Sequence, residues 1–107
     1  MHFQELIDQV RSFNHARGWD TRHRAHSLLI ALVSEVGELA DQYKWRSVDD
    51  VSPEFRESIA EELSDVLIYL ICLALVEGID LENAAQAKLA KNASKYPSMP
   101  RDSSELT

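Results

Sequence analysis

Leu28–Ala40 reads LLIALVSEVGELA, and Glu61–Leu70 reads EELSDVLIYL. Each stretch joins a run of aliphatic residues to two carboxylates three positions apart: Glu35 and Glu38 in the first, Glu62 and Asp65 in the second. At helical spacing, residues three apart share a face. Leu28 to Val33 is apolar nearly all round, which predicts a helix buried on more than one side. The acids therefore sit at the edge of a core, not on a wholly solvated surface.

The helical periodicity extends outward from these stretches. The second helix is predicted over about 22–44, with Asp20 or Thr21 as its cap. Ser47–Pro53 reads as a loop, with Ser52 placed to cap the next helix and Pro53 at its first position. That third helix runs over about 53–77, acidic in its first half and apolar in its second, and Gly78 ends it. Upstream, Phe3, Leu6, Ile7, Val10 and Phe13 predict a first helix over 3–16 that stops at Arg17-Gly18. Downstream, Asp80 caps a fourth helix over 81–94, with Leu81, Ala84, Ala85, Ala87, Leu89 and Ala90 along it. Pro97 and Pro100 stop regular structure, and no strand pattern or internal repeat is present. The expected fold is all-α: a four-helix bundle forming one domain over 1–97, followed by a polar, mobile tail over 98–107. The core is thin for one chain, so burial of the second helix against a partner subunit is expected.

Composition narrows the function classes. The chain has 107 residues, 45% hydrophobic and 27% charged, with three Gly and three Pro. This is globular, and the size suits one core. The net charge of -7 disfavours a binder of nucleic acid polymers, since phosphate contacts need Lys and Arg. It still allows a phosphorylated small molecule if cations bridge carboxylates to phosphates. The longest apolar stretch, Val66–Val76, is broken by Tyr69 and is too short to span a bilayer. The N-terminal residues show no apolar signal-peptide run. A soluble cytoplasmic protein without membrane attachment is expected. The single cysteine, Cys72, reads as a small core residue.

Two carboxylate pairs on adjacent antiparallel helices can converge. Converging like charges repel and raise each other's pKa values unless a cation joins them. Solvent-facing charge is the common reading of any Glu pair. It weakens here because Val36 and Leu39 interleave the first pair and Val66-Leu67-Ile68 follow the second. Gly37 is costly inside a helix and would let something approach the backbone closely. Glu61 adjoins the set as a further ligand, a base, or a solvated charge. Iron-binding bundles use Glu-x-x-His pairs, whereas here the second positions are Glu38 and Asp65. The set therefore suits a hard, oxygen-liganded ion such as Mg²⁺. His23 and His26 share a face, but no third zinc ligand is apparent.

At this point the chain resembles a known family. Ser34–Ala40 (SEVGELA) followed by Glu61–Leu70 matches the ExxE, loop, ExxD signature of the all-α, MazG-like NTP pyrophosphohydrolase superfamily. The resemblance is strongest to its dCTP pyrophosphatase branch. Trp19, His23, Trp45-Arg46 and the ending Lys88, Asn92, Lys95, Tyr96, Pro97 also match, and the likeness covers roughly residues 3–97. It implies Mg²⁺-dependent hydrolysis of a (deoxy)nucleoside triphosphate, of dCTP or a modified dCTP, to monophosphate and pyrophosphate. It implies Mg²⁺ on Glu35, Glu38, Glu62 and Asp65, and a base pocket of Trp19, His23 and Trp45. Lys88, Asn92, Lys95 and Tyr96 would contact phosphates or sugar. It further implies a homo-oligomer, with a dimer of dimers favoured over a dimer. The water must lose a proton to a carboxylate not fully committed to metal. Glu38 is favoured, with Glu35 as runner-up. The competing readings are a non-catalytic helical dimerisation or regulatory module of the same fold and a non-catalytic metal-binding bundle.

Overall fold

The computed structural model describes residues 2–47, 49 and 51–99. The mobility expected for residues 100–107 lies outside that range. Four helices form: α1 (Phe3–Ala16), α2 (Ala25–Lys44), α3 (Pro53–Glu77) and α4 (Leu81–Lys95). No strand occurs among the described residues. None of the helices is long and apolar enough to cross a membrane.

Three of the four helices begin or end close to the predicted positions, for the expected reasons. Ser52 accepts a hydrogen bond from the Phe55 amide, and Pro53 opens α3. Asp80 accepts from the Asn83 amide at the start of α4. Gly78 closes α3 in the left-handed region at φ 68. A Cβ there would meet nothing within 4 Å, so the effect of Gly78→Ala is purely conformational. The substitution should lower unfolding stability by about 1 kcal/mol, read as a lower denaturant midpoint. At Gly37, a Cβ also meets nothing within 4 Å, and its φ is helical. No close backbone approach occurs there within one chain. Gly37→Ala should instead raise the stability of the isolated chain, by roughly 0.5–1 kcal/mol.

The start of α2 departs from expectation. It begins at Ala25 instead of 22, and its N-cap, Arg24, makes no side-chain capping bond. The expected caps are used elsewhere. Asp20 takes His15 Nδ1 at 2.7 Å and the Thr21 amide, while Thr21 Oγ1 donates to the Gly18 carbonyl. The amides of Arg22 and His23 both bond the Trp19 carbonyl, so residues 19–23 form a tight turn. The His15 hydrogen bond holds Asp20 below the usual carboxylate range.

α2 and α3 lie antiparallel and make the main contact, with α1 packed on α3. Ser58 donates to Gln42 Oε1 at 2.5 Å at one end of the seam. Leu28 and Cys72 meet at the other end, in a cluster with Ile7, Val10 and Ile71. The expected four-helix bundle is therefore incomplete. α4 has no buried residue and reaches the core mainly through Leu81 at its start. The radius of gyration is 17.6 Å, against about 13 Å for a compact chain of this size. Leu29, Ile30, Val33 and Val36 on α2 remain 47–69% exposed. A fourth layer is missing over this face.

Candidate active site

The α2–α3 seam places the acids in its middle. One carboxylate oxygen from each of Glu35, Glu62 and Asp65 lies within 4.8 Å of the other two. Glu35 and Glu62 are half-buried, and Asp65 is exposed. Glu35 Oε2 and Glu62 Oε2 are both buried without a hydrogen-bond partner among the described residues. A buried carboxylate oxygen with no donor is costly. Loss of hydration, then repulsion from Glu38, interactions with Glu62 and Glu38, and finally repulsion from Asp65 push Glu35 up to about 7. Orphaned oxygens, like-charge crowding and an all-oxygen donor set fit a hard divalent cation.

Glu38 stands apart. It is exposed and lies outside the tight trio, yet it is close enough to raise the Glu35 carboxyl. The structure thus brings three of the four expected ligands together and leaves the fourth beside them. Glu61 is exposed and also outside the trio.

The aromatic and basic residues are distributed along the molecule. Trp19 and His23 come together before α2, their rings 6.3 Å apart and tilted by 42°. Phe13 packs edge-on against Trp19 at 5.7 Å. Trp45 sits past the other end of the 20-residue α2 and is 81% exposed, with Lys44 Nζ over its ring. A helix of that length spans about 30 Å. One chain does not gather Trp19, His23 and Trp45 into one pocket. Lys88, Asn92, Lys95 and Tyr96 lie on or just after α4, away from the α2–α3 seam, with Lys95 stacked over Tyr96. The structure does not bring them to the acids within one chain.

Sequence reasoning missed Asn14. Among the described residues it is the one buried polar or charged residue. Its Nδ2 donates to Cys72 Sγ at 3.3 Å. Its backbone carbonyl accepts from the Trp19 amide at 2.9 Å. A signal was available: Asn14 continues the Ile7–Val10 spacing onto the core face of α1.

An ExxE helix facing an ExxD helix, with unsatisfied carboxylate oxygens between them, defines an all-α carboxylate metal-site domain. Residues 23–99 match the family model for the MazG nucleotide pyrophosphohydrolase domain. The chain belongs to that family. It is 43% identical over 86 residues to dCTP pyrophosphatase 1 of Mus musculus, covering 76% of this chain and 51% of that protein. The same values hold for dCTP pyrophosphatase 1 of Homo sapiens. The chain therefore spans about half the length of these relatives. A pyrophosphatase from Archaeoglobus fulgidus has a similar structure, with TM-score 0.74 and 36% identity, over 92% of this chain and 94% of that one. An iMazG from Vibrio is also similar, with TM-score 0.65 and 29% identity, over 92% and 100%. The family match begins at residue 23, so Trp19 and all of α1 lie outside it.

Proposed function

We propose that this protein hydrolyses a deoxynucleoside triphosphate of the dCTP type to the monophosphate and pyrophosphate, with Mg²⁺ held by Glu35, Glu38, Glu62 and Asp65. The observation that carries this reading is the pair of orphaned oxygens on Glu35 and Glu62 within a three-carboxylate cluster. A nucleotide brings the negative phosphates that such a cluster can engage only through cations. The named dCTP pyrophosphatase relatives support the choice of substrate.

When bound, Mg²⁺ would offset charge on the phosphoryl oxygens and acidify water. The residues divide the remaining work. Glu35, Glu62 and Asp65 fix the charge centre at the middle of the seam. Glu38, on the same face of α2 as Glu35 but outside the trio, is the ligand least committed to the ion and so the one placed to take a proton from the attacking water. Trp19 and His23 offer one wall for a base. Trp45 can join them only from a second copy, because α2 separates the two ends within one chain. A homo-oligomer, tetramer favoured over dimer, would also cover Leu29, Ile30, Val33 and Val36. Lys88, Asn92, Lys95 and Tyr96 are assigned to phosphate or sugar contacts. α4, unpacked on its own chain, is available to reach a neighbour's site.

The test is pyrophosphate release from a panel of nucleoside and deoxynucleoside triphosphates, with Mg²⁺ and with chelator. Release from dCTP that stops with chelator is the expected result. Folded, oligomeric protein that turns over no triphosphate sinks the enzyme reading.

A further inference from the structure

Facing positions on the α2–α3 seam repeat every seven residues. On α2 they are Leu28, Glu35 and Gln42; on α3, running the other way, they are Cys72, Asp65 and Ser58. Seven residues are nearly two turns, so each set shares a face, with its rungs about 10.5 Å apart along the axis. All three rungs are made. Leu28 and Cys72 are buried in one apolar cluster. Glu35 and Asp65 belong to the acid trio. Ser58 Oγ donates to Gln42 Oε1 at 2.5 Å. The acids are thus bracketed by an apolar rung on one side and a neutral polar rung on the other.

The polar rung adjoins the acids directly. Gln42 follows Glu38 by four residues, and Ser58 precedes Glu62 by four, which is about 6 Å along each helix. Gln42 and Ser58 are both half-buried, where an apolar pair would cost less desolvation. What the polar pair adds is direction. Carboxylates on both helices push α2 and α3 apart. Apolar contact opposes that push but sets no definite separation, because it is non-directional. A hydrogen bond has a narrow range of length and angle, and this one is uncharged on both sides. Cohesion at this end of the seam has another source. Tyr43 packs edge-on against buried Phe55, with ring centroids 5.4 Å apart.

We propose that Gln42 and Ser58 are positioning residues for the carboxylate set: their hydrogen bond fixes how far α2 stands from α3 at the acids, and so tunes which divalent cation fits between them. Mg²⁺ takes oxygens at about 2.0–2.1 Å in near-ideal octahedral geometry, whereas Ca²⁺ accepts about 2.3–2.6 Å and a flexible set of six to eight ligands. A seam pinned beside the acids favours the smaller, stricter ion, and a loosened seam gives up part of that advantage. The inference rests on the proposed binding of Mg²⁺ by Glu35, Glu38, Glu62 and Asp65, but not on nucleotide hydrolysis.

Calorimetric titration of the whole chain with MgCl₂ and with CaCl₂, in the absence of nucleotide, tests it. Ser58→Ala and Gln42→Leu should each weaken Mg²⁺ binding about three- to tenfold, the range set by one neutral hydrogen bond. Ca²⁺ binding should be nearly unchanged, so the Mg²⁺-over-Ca²⁺ affinity ratio falls at least about threefold. Ser58→Thr keeps the hydroxyl and should keep the wild-type ratio. Melting in chelator is recorded for each variant. If the bond serves cohesion alone, Ser58→Ala lowers the chelator midpoint and leaves the ratio where it was, and the proposal is overturned. It is also overturned if the ratio falls as far in Ser58→Thr as in Ser58→Ala. Should Gln42→Leu not fold, Ser58→Ala, which removes a single oxygen, decides alone. A wild-type chain that binds neither ion overturns the metal reading and this inference together. A wild type that binds Mg²⁺ while the variants keep its ratio overturns the inference alone. A ratio that falls in Ser58→Ala, in a protein that turns over no triphosphate, leaves the inference standing and removes the enzyme reading.

Discussion

Glu38→Gln should lower turnover by about 10²–10⁴-fold while leaving the helical circular dichroism and the oligomeric state unchanged. The basis is its position beside the acid trio and outside it. The trio has one oxygen each from Glu35, Glu62 and Asp65 within 4.8 Å, and the two buried orphan oxygens belong to Glu35 and Glu62. Glu38 is exposed, so replacing it with the amide leaves no buried donor or acceptor unsatisfied and opens no cavity. The substitution removes a proton acceptor and one negative charge while keeping the shape. If Glu38 is the base, kcat should fall with little change in the Mg²⁺ concentration needed for half-maximal rate. If it serves mainly as a ligand, that concentration should rise steeply and high Mg²⁺ should restore the rate. Undiminished turnover would remove Glu38 from both roles.

The acids were legible in the sequence because their geometry is local. Three-residue spacing fixes a shared helix face, and one loop between two long apolar helices fixes the antiparallel pairing that brings Glu35 to Asp65. The dispersal of charge within the set was not legible. Which three of four carboxylates converge depends on side-chain direction and on the depth of the seam. The late start of α2 was hidden for a different reason. Asp20 and Thr21 are good capping residues, but His15 and the Gly18 carbonyl reached them first. The burial of Asn14 was legible from its place on the Ile7–Val10 face of α1, whereas its hydrogen-bond partner, Cys72, lies 58 positions away and was not. The detachment of α4 was also out of reach. Its alanines and Leu89 follow a sound helical pattern, and pattern alone does not say whether the helix packs on its own chain.

Glu35→Gln should have opposite effects on the metal-free and metal-bound protein. In the metal-free chain Glu35 titrates near 7 rather than 4.5, because hydration is lost and Glu38, Glu62 and Asp65 crowd it. A carboxyl whose pKa is raised by folding binds more protons folded than unfolded between those two values. Stability therefore falls as pH rises through that window and is level above it. The glutamine carries no such penalty. Glu35→Gln without metal should melt higher than wild type at pH 8, and the gap should close as pH drops toward 4.5. With Mg²⁺ the order reverses. The ion displaces the proton and relieves the crowding, so wild type gains stability by ligand linkage and the variant gains far less. The same competition makes wild-type Mg²⁺ affinity fall about tenfold per pH unit below 7 and hold steady above it. Melting with and without Mg²⁺ at pH 5.5 and pH 8 tests all four corners. A wild-type midpoint that is indifferent to Mg²⁺ at pH 8, or a variant that never melts above it in chelator, would show that the cluster is a solvated acidic patch.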